Sequence, residues 1–340
     1  MRVLIADDDA IALELLRDAL TDAGHDVTCA CNGREAEQEL ARSEFQVLIT
    51  DWEMPETDGI GLCRAVRQGA LRGGGYVYVI LLTAHNSVAE KIQGLSAGAD
   101  DFISKPFDPQ ELVARMQSAE RLLSLETRDV AIFAMAKLAE SRDPETGAHL
   151  ERVMNYSRVL AQQLPAMDKF AEEIDAEYVR LIYSTSPLHD IGKVGMPDGV
   201  LLKPGRLSDR EFEIMKTHTT IGAQTLDAAL QRFPNAKYLR MARNIAASHH
   251  ERYDGGGYPS HLKAEEIPLC ARIVALADVY DALTSKRVYK NAFAHEVAKG
   301  IILKDAGTHF DPHIVDAFLA IEQTFISIRE QFQEQESLAA

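Results

Sequence analysis

Short apolar runs alternate with helical patterns over the first third of the chain. Four runs predict buried strands that end on polar residues: 3–6 before Asp7 and Asp8, 47–50 before Asp51, 77–82 before Thr83, and 101–104 before Lys105. Strands that alternate with helices are typical of a parallel sheet covered on both faces, so residues 1–122 predict a doubly wound α/β domain. In such an open sheet the carboxyl ends of the strands line one crevice, where these polar side chains should meet.

Three carboxylates in this crevice, those of Asp7, Asp8 and Asp51, would repel one another. A bound divalent cation relieves the repulsion, and oxygen ligands favour Mg²⁺. With Lys105 and Thr83 opposite, the crevice would stabilise transfer of a phosphoryl group to Asp51. The alternative interpretation is that these acids only cap helices.

A long helical pattern follows the last predicted strand. Asp108, Pro109 and Glu111 predict the helix start, with an N-cap, a proline at the first position and an acid at the third. Neither glycine nor proline then occurs before Pro144, which leaves about 35 residues of potential helix with an apolar stripe. One continuous helix would link the two halves mechanically and offer a contact for a homodimer. The alternative is a pair of helices that break near residues 126–129.

Past Pro144 strand alternation is nearly absent, which predicts an all-α bundle up to about residue 325. The last segment, 326–340, is polar enough that we expect it to fray. Histidines and acids recur through the bundle at gaps of roughly thirty to forty residues, as one ligand per helix would require. The candidate metal ligands are Glu145, His149, His189, Asp190, His218, His249, His250 and Asp278.

Histidine and carboxylate ligands without cysteine favour iron, manganese or zinc over a thiolate site. Glu145 and His149 are four residues apart and share a helix face. Eight candidates exceed the need of one ion, and a carboxylate such as Asp190 can bridge, so we expect two or three divalent cations. The adjacent pair His189 and Asp190 alone would equally well form a salt bridge or a helix cap.

Size and charge narrow the function classes. With 340 residues, two domains are expected, and the net charge of −16 repels a phosphate backbone, so nucleic-acid binding is not expected. There is no run of 18 apolar residues and no signal-peptide pattern, so we expect no membrane insertion and a cytoplasmic protein.

Residues 249–259, with the sequence HHERYDGGGYP, resemble the signature of the HD-GYP phosphodiesterases, a branch of the HD hydrolase superfamily. Further matches lie at residues 203–205, 277–284, 287–290 and 309–312, and the resemblance covers about residues 128–322. One departure is Val288, where the family usually has proline; it should alter loop stiffness more than chemistry.

The resemblance implies that the substrate is cyclic di-GMP, hydrolysed by a metal-activated hydroxide to pGpG and/or GMP. Asp190 and Lys193 are the candidate catalytic residues, with Lys193 contacting the scissile phosphate or assisting departure of the leaving oxygen. Arg287 and Lys290 are three residues apart, so on a helical turn they would point the same way and bind the phosphates. For each of these cations, ordinary surface charge is the alternative.

Residues 1–122 resemble a response-regulator receiver domain, including the stretch Asp51 to Pro55 and the pair Lys105 and Pro106. This resemblance implies that Asp51 accepts a phosphoryl group from a cognate sensor histidine kinase. It also implies the roles of the other crevice residues: Asp7 and Asp8 bind Mg²⁺ with Asp51, Thr83 and Lys105 contact the phosphoryl group, and Phe102 is the switch aromatic.

The predicted order is a five-stranded receiver domain at 1–122, a helical linker at 123–143, an all-α phosphodiesterase domain at 144–325 and a tail at 326–340. The leading hypothesis is a phosphorylation-regulated cyclic di-GMP phosphodiesterase. Two alternatives stay open: an HD-type phosphohydrolase for another nucleotide or hybrid cyclic dinucleotide, and a catalytically weak module that signals by binding partners.

Overall fold

The computed structural model describes residues 1–68, 76–84, 88–142, 148–285 and 292–339. The chain forms two compact units, Met1–Arg128 and Asp129–Ala340. The change of unit falls within the predicted linker, whose bounds stay a prediction. Three predicted site residues, Glu145, Arg287 and Lys290, lie outside the described residues.

The first unit contains a five-stranded sheet in the order β2-β1-β3-β4-β5, with every neighbouring pair parallel. The strands are β1 (Arg2–Ala6), β2 (Asp26–Ala30), β3 (Val47–Asp51), β4 (Tyr78–Thr83) and β5 (Asp101–Ser104). The helices are α1 (Ala10–Asp22), α2 (Gly33–Arg42), α3 (Gly59–Arg67) and α4 (Val88–Ala97). The predicted doubly wound α/β fold is confirmed.

Burial explains which strands the sequence pattern revealed. All residues of β3 and β4 are buried, as expected for central parallel strands covered by helices on both faces. Strand β2 was not among the four predicted runs. It is an edge strand whose first residue, Asp26, is exposed and whose next three are only half-buried, so it has no continuous apolar run.

A single helix, α5 (Pro109–Glu140), extends from the end of the first unit into the second, as the uninterrupted helical pattern predicted. The Asp108 side chain accepts a hydrogen bond of 2.7 Å from the Gln110 amide at its start. The alternative of two helices that break near residues 126–129 is therefore wrong.

The regular elements in the described part of the second unit are helices, apart from an isolated bridge between Ala306 and Phe310. Its α-helices after α5 are α6 (His149–Gln163), α7 (Ala176–Thr185), α8 (Asp198–Leu201), α9 (Asp209–Arg232), α10 (Lys237–Ser248), α11 (Leu269–Thr284), α12 (His295–Lys304), α13 (Pro312–Ala320) and α14 (Glu322–Ala339). Its 3₁₀ helices are Leu164–Ala166, Asp168–Phe170, Ser186–Gly195 and Ala264–Glu266.

Helix α14 continues to Ala339, where the sequence led us to expect a polar tail that frays, and fraying itself stays a prediction. The first half of α14 carries apolar side chains that join the core. Phe325 is fully buried against Tyr156 and Tyr280, with ring centroids 4.5 and 5.0 Å away, and Ile328 is buried beside them.

Close backbone packing brings the 3₁₀ helix Ser186–Gly195 against α9. A Cβ atom added to Gly192 would lie 1.9 Å from the carbonyl oxygen of His218, so a larger residue would push the two elements apart. This contact places Asp190, two residues earlier, beside His218. In the part of the chain that the structure describes, no helix combines the length and the hydropathy that a membrane span requires.

Candidate metal centre and phosphoacceptor site

The crevice of the first unit gathers the acids that the strand ends predicted. Asp7, Asp8 and Asp51 each place a carboxylate oxygen within 4.8 Å of the others. The Lys105 ammonium lies 2.7 Å from Asp7 Oδ2 and 2.9 Å from Asp51 Oδ2. The Trp52 amide donates a hydrogen bond of 2.9 Å to Asp51 Oδ1, which fixes the carboxylate at the end of β3.

Burial and charge oppose each other in this crevice. Burial raises the pKa of Asp51, although the ammonium of Lys105 works against that rise. For Lys105, burial favours the neutral amine, but its hydrogen bonds to Asp7 and Asp51 outweigh burial and raise its pKa. The lysine therefore stays charged and offsets part of the repulsion between the acids.

Thr83 and Phe102 lie on the neighbouring strands β4 and β5. Thr83 ends β4, pairs with Ser104 of β5 and accepts a hydrogen bond of 2.8 Å from the Lys105 amide through its carbonyl. Phe102 packs against α4, where a Cβ atom on Gly94 would lie 2.6 Å from its ring. The structure thus brings Asp7, Asp8, Asp51 and Lys105 together, with Thr83 at the end of β4, while the individual roles of these residues and of Phe102 stay predictions.

In the second unit, seven of the eight predicted metal ligands converge in two groups. Within each group the candidate ligand atoms lie within 4.8 Å of one another. One group is Asp190, His218, His249 and His250, and the other is His149, His189 and Asp278. They come from three α-helices, the 3₁₀ helix Ser186–Gly195 and the turn after α10, so one ligand per α-helix was too simple a prediction.

Asp190 connects the two groups through its two carboxylate oxygens. Its Oδ1 lies 3.2 Å from His218 Nε2 and 3.7 Å from His249 Nε2. Its Oδ2 lies 3.4 Å from His189 Nε2 and 2.8 Å from Lys193 Nζ. A carboxylate that faces two groups of ligands in this way is suited to bridging two cations.

Backbone carbonyls orient three of the histidine rings. The Nδ1 atoms of His189, His218 and His249 donate to the carbonyls of residues 186, 215 and 245, at 2.9, 2.7 and 3.1 Å. This arrangement fixes the tautomer and turns the lone pair of Nε2 into the site. The three Nε2 atoms and Asp190 Oδ1 are buried without a hydrogen-bond partner among the described residues. Buried polar atoms normally have partners, so a divalent cation fits this donor set.

Charge favours the same chemistry. Burial opposes the charge of Asp190, but Lys193 and His189 hold its pKa well below the usual range. Burial and the neighbouring histidines lower the pKa of His249 and bring that of His250 to about 3, so both rings stay neutral and able to coordinate. At His189, burial is outweighed by the Asp190 carboxylate, which raises the pKa to about 9, so a cation that binds this ring would displace a proton from Nε2.

Asp281 is a site residue that the sequence pattern did not predict. Its Oδ2 accepts a hydrogen bond of 2.8 Å from His149 Nδ1, and its Oδ1 lies 2.6 Å from Arg152 Nε. Burial opposes its charge, but His149 and Arg152 lower its pKa, so it remains a carboxylate that orients the His149 ring. The available signal was its spacing from Asp278, because residues three apart share a helix face.

The signature loop that follows His250 is organised by Glu251. The buried Glu251 carboxylate accepts hydrogen bonds from the amides of Ser260 and Leu262, at 2.7 and 3.1 Å. The loop returns Tyr258 to His250, with ring centroids 4.8 Å apart. Glu251 therefore shapes the wall of the site.

Two family descriptions match this chain: HD domain over residues 134–314 and response regulator receiver domain over residues 3–117. A probable cyclic di-GMP phosphodiesterase of Vibrio cholerae is 38% identical over 98% of this chain and 81% of its own length. The cyclic di-GMP phosphodiesterase response regulator RpfG of Xanthomonas campestris pv. campestris is 36% identical over 94% of this chain and 87% of its own. A 3'3'-cGAMP-specific phosphodiesterase 2 of Vibrio cholerae is 38% identical over 60% of this chain and 37% of its own.

This chain belongs to the family of HD-domain response regulators in which these full-length relatives fall. The HD domain implies binding of divalent metal, and the two groups of histidine and aspartate ligands fit that requirement.

Proposed function

We propose that this protein is a metal-dependent phosphodiesterase that hydrolyses cyclic di-GMP to pGpG and GMP, and that phosphorylation of Asp51 sets its rate. The observation that carries the proposal is the pair of ligand groups joined by Asp190. Relatives that match this chain over most of their length are named cyclic di-GMP phosphodiesterases. Buried donors without hydrogen-bond partners destabilise a protein unless a cation binds them. A module that only binds partners would have no need of such a set of donors.

In this proposal His218, His249 and His250 hold one cation, His149, His189 and Asp278 hold a second, and Asp190 contacts both. Glu145 is the proposed ligand of a third cation. Iron or manganese is the proposed metal because the donors are imidazole and carboxylate. When bound, the cations would lower the pKa of a water molecule and neutralise charge on the phosphate oxygens.

Lys193 is the proposed catalytic cation. Its ammonium lies 2.8 Å from Asp190 Oδ2, and its side chain is only 15% exposed, so it stands at the wall of the metal site. From there it would contact the scissile phosphate and stabilise charge on the departing sugar oxygen. Arg287 and Lys290, which lie outside the described residues, are proposed to bind the substrate's phosphates.

Regulation is proposed to begin at Asp51, with a sensor histidine kinase as the partner that supplies the phosphoryl group and Mg²⁺ held by Asp7, Asp8 and Asp51. Phosphate at Asp51 adds negative charge that draws Thr83 and Lys105 toward it and displaces Phe102. The continuous helix α5 supports the proposal that the change reaches the second unit, directly or through the contact of a homodimer. We place the protein in the cytoplasm and expect no nucleic-acid partner, given the net charge of −16.

Hydrolysis by protein loaded with Mn²⁺ or Fe²⁺ tests the proposal. Cyclic di-GMP, 3'3'-cGAMP and a simple phosphodiester such as bis(p-nitrophenyl) phosphate are compared, and products are followed by chromatography. We expect the highest kcat/KM with cyclic di-GMP and the successive appearance of pGpG and GMP. A preference for 3'3'-cGAMP would assign the second substrate class, and no hydrolysis of any dinucleotide by metal-loaded protein would refute the proposed activity.

A further inference from the structure

A small cavity lies on the His149 side of the metal centre. Its volume is about 10 Å³, room for one water molecule or one ion. His149, His189, Asp190 and Lys193 line it, and all four belong to the site already described. Among the described residues, its remaining polar lining residue is Glu140, the last residue of α5.

One oxygen of the Glu140 carboxylate is paired with a lysine, and the other has no partner among the described residues. Its Oε2 lies 3.0 Å from Lys137 Nζ, which also lies 3.3 Å from Glu151 Oε2. Its Oε1 is buried and has no hydrogen-bond partner among the described residues, and the side chain is only 11% exposed. A buried carboxylate oxygen is costly unless a donor or a cation faces it, so the cavity should hold one.

The distance from the ligand atoms decides which role Glu140 can play. Its oxygens are not among the ligand atoms of His149, His189 and Asp278 that lie within 4.8 Å of one another. Contact with a cation through an intervening water therefore fits the geometry better than direct coordination. Carboxylates in this position orient the ligands of a metal and raise its affinity.

We infer that Glu140 is a positioning residue of the metal centre, which accepts a hydrogen bond from a water ligand of the cation held by His149, His189 and Asp278. The inference rests on the proposed function, because it takes this group of residues to bind a metal. The same helix α5 that begins in the receiver domain would then also contribute a residue to the metal centre, because its last residue lines the cavity.

The end of α5 is also tied to the element that carries the catalytic residues. Arg142 donates hydrogen bonds to the carbonyls of Val194 and Met196, at the end of the 3₁₀ helix Ser186–Gly195. A displacement of this end of α5 would therefore move both Glu140 and the segment that holds Asp190 and Lys193.

Mn²⁺ binding to metal-depleted, full-length protein tests the inference without any nucleotide. Titrations are followed by calorimetry and by the electron paramagnetic resonance of free Mn²⁺. Glu140→Gln keeps the shape and removes the charge, so we expect affinity at one site to fall about 10- to 100-fold. Glu140→Asp keeps the charge but shortens the side chain, and it should also weaken that site. Thermal unfolding of the metal-free variants verifies that they fold.

Glu151→Gln is the matched control, because Glu151 shares Lys137 but is not among the residues that line the cavity. It should bind Mn²⁺ as the wild type does. Wild-type affinity in both folded Glu140 variants would overturn the inference, as would an equal loss in Glu151→Gln, which would trace the effect to Lys137. If the wild type itself bound no Mn²⁺, the proposed function would fail, and the inference with it.

Discussion

The receiver crevice and the metal centre both gather carboxylates, but they balance the charge with different partners. In the crevice, the Lys105 ammonium lies within 2.9 Å of both Asp7 and Asp51, and Asp8 is exposed to solvent. In the metal centre, the carboxylate of Asp190 lies beside Lys193 and also faces three histidines whose Nε2 atoms are buried.

This difference separates a site for exchangeable ligands from one for resident ligands. A lysine already offsets part of the crevice charge, so Mg²⁺ and phosphate can come and go at modest cost. In the metal centre Lys193 pairs with only one oxygen of Asp190. The other oxygen and the Nε2 atoms of the three histidines have no hydrogen-bond partner among the described residues, and fixed tautomers prepare them for cations that stay bound. The crevice is suited to signalling and the metal centre to catalysis.

The strongest way to break this comparison is to remove the carboxylate that joins the ligand groups. In Asp190→Ala both groups lose their shared ligand, so we expect bound metal and phosphodiesterase activity to fall together, on the order of 100- to 1,000-fold, as when a buried charge pair loses one partner. Elemental analysis and kcat/KM measure the two losses. Asp227→Ala removes a partly exposed acid paired with Arg243 and should change neither. Full metal content in Asp190→Ala would show that Asp190 does not bridge.

A smaller effect, expected at Lys193, separates metal binding from catalysis. Lys193→Ala should lower kcat about 10- to 100-fold, the usual value of one charge-assisted hydrogen bond, while metal content stays nearly intact. Lys237→Ala, which removes an exposed lysine paired with Glu177, is the control. If Lys193→Ala lost metal in proportion to activity, the lysine would be part of the metal-binding structure and not a catalytic cation.

The smallest expected effect lies in the crevice. Lys105→Ala removes the positive charge that competes with a cation for Asp7 and Asp51, so Mg²⁺ should bind a few-fold more tightly, a gain of about 1 kcal/mol or less after screening. Trp52, the only tryptophan in the sequence, adjoins Asp51 and reports binding by its fluorescence. Lys91→Ala, an exposed substitution on α4, should leave the affinity unchanged. Weaker Mg²⁺ binding in Lys105→Ala would mean that the lysine organises the crevice instead of competing for it.

Sequence patterns predicted the features that depend on local composition. The buried runs of β1, β3, β4 and β5 gave the fold and the crevice, because central parallel strands are continuously apolar. The unbroken pattern after Asp108 gave α5. The exposed edge strand β2 lacked an apolar run, and α14 owes its order to packing by Phe325 and Ile328, which polarity alone does not reveal.

The candidate site shows the same limit. Eight ligands were predicted from residue type and spacing, and the structure brings together the seven that lie among the described residues. Asp281 and Glu140 were missed because their role depends on which atom of a neighbour they face. Along the sequence, Glu140 is an ordinary acid three residues after Lys137, and only folding places it in the cavity wall with His149.

The most direct test of the whole account compares cyclic di-GMP hydrolysis by metal-loaded wild type and Asp51→Asn, each with Mg²⁺ and with or without beryllofluoride. Coupling between sites is typically about 1–3 kcal/mol, so beryllofluoride should change the wild-type rate by roughly five- to 150-fold, most simply upward. Asp51→Asn should not respond. Equal rates in all four conditions, with beryllofluoride binding to the wild type verified through Trp52 fluorescence, would contradict regulation by the receiver domain, and no hydrolysis in any of them would contradict the activity itself.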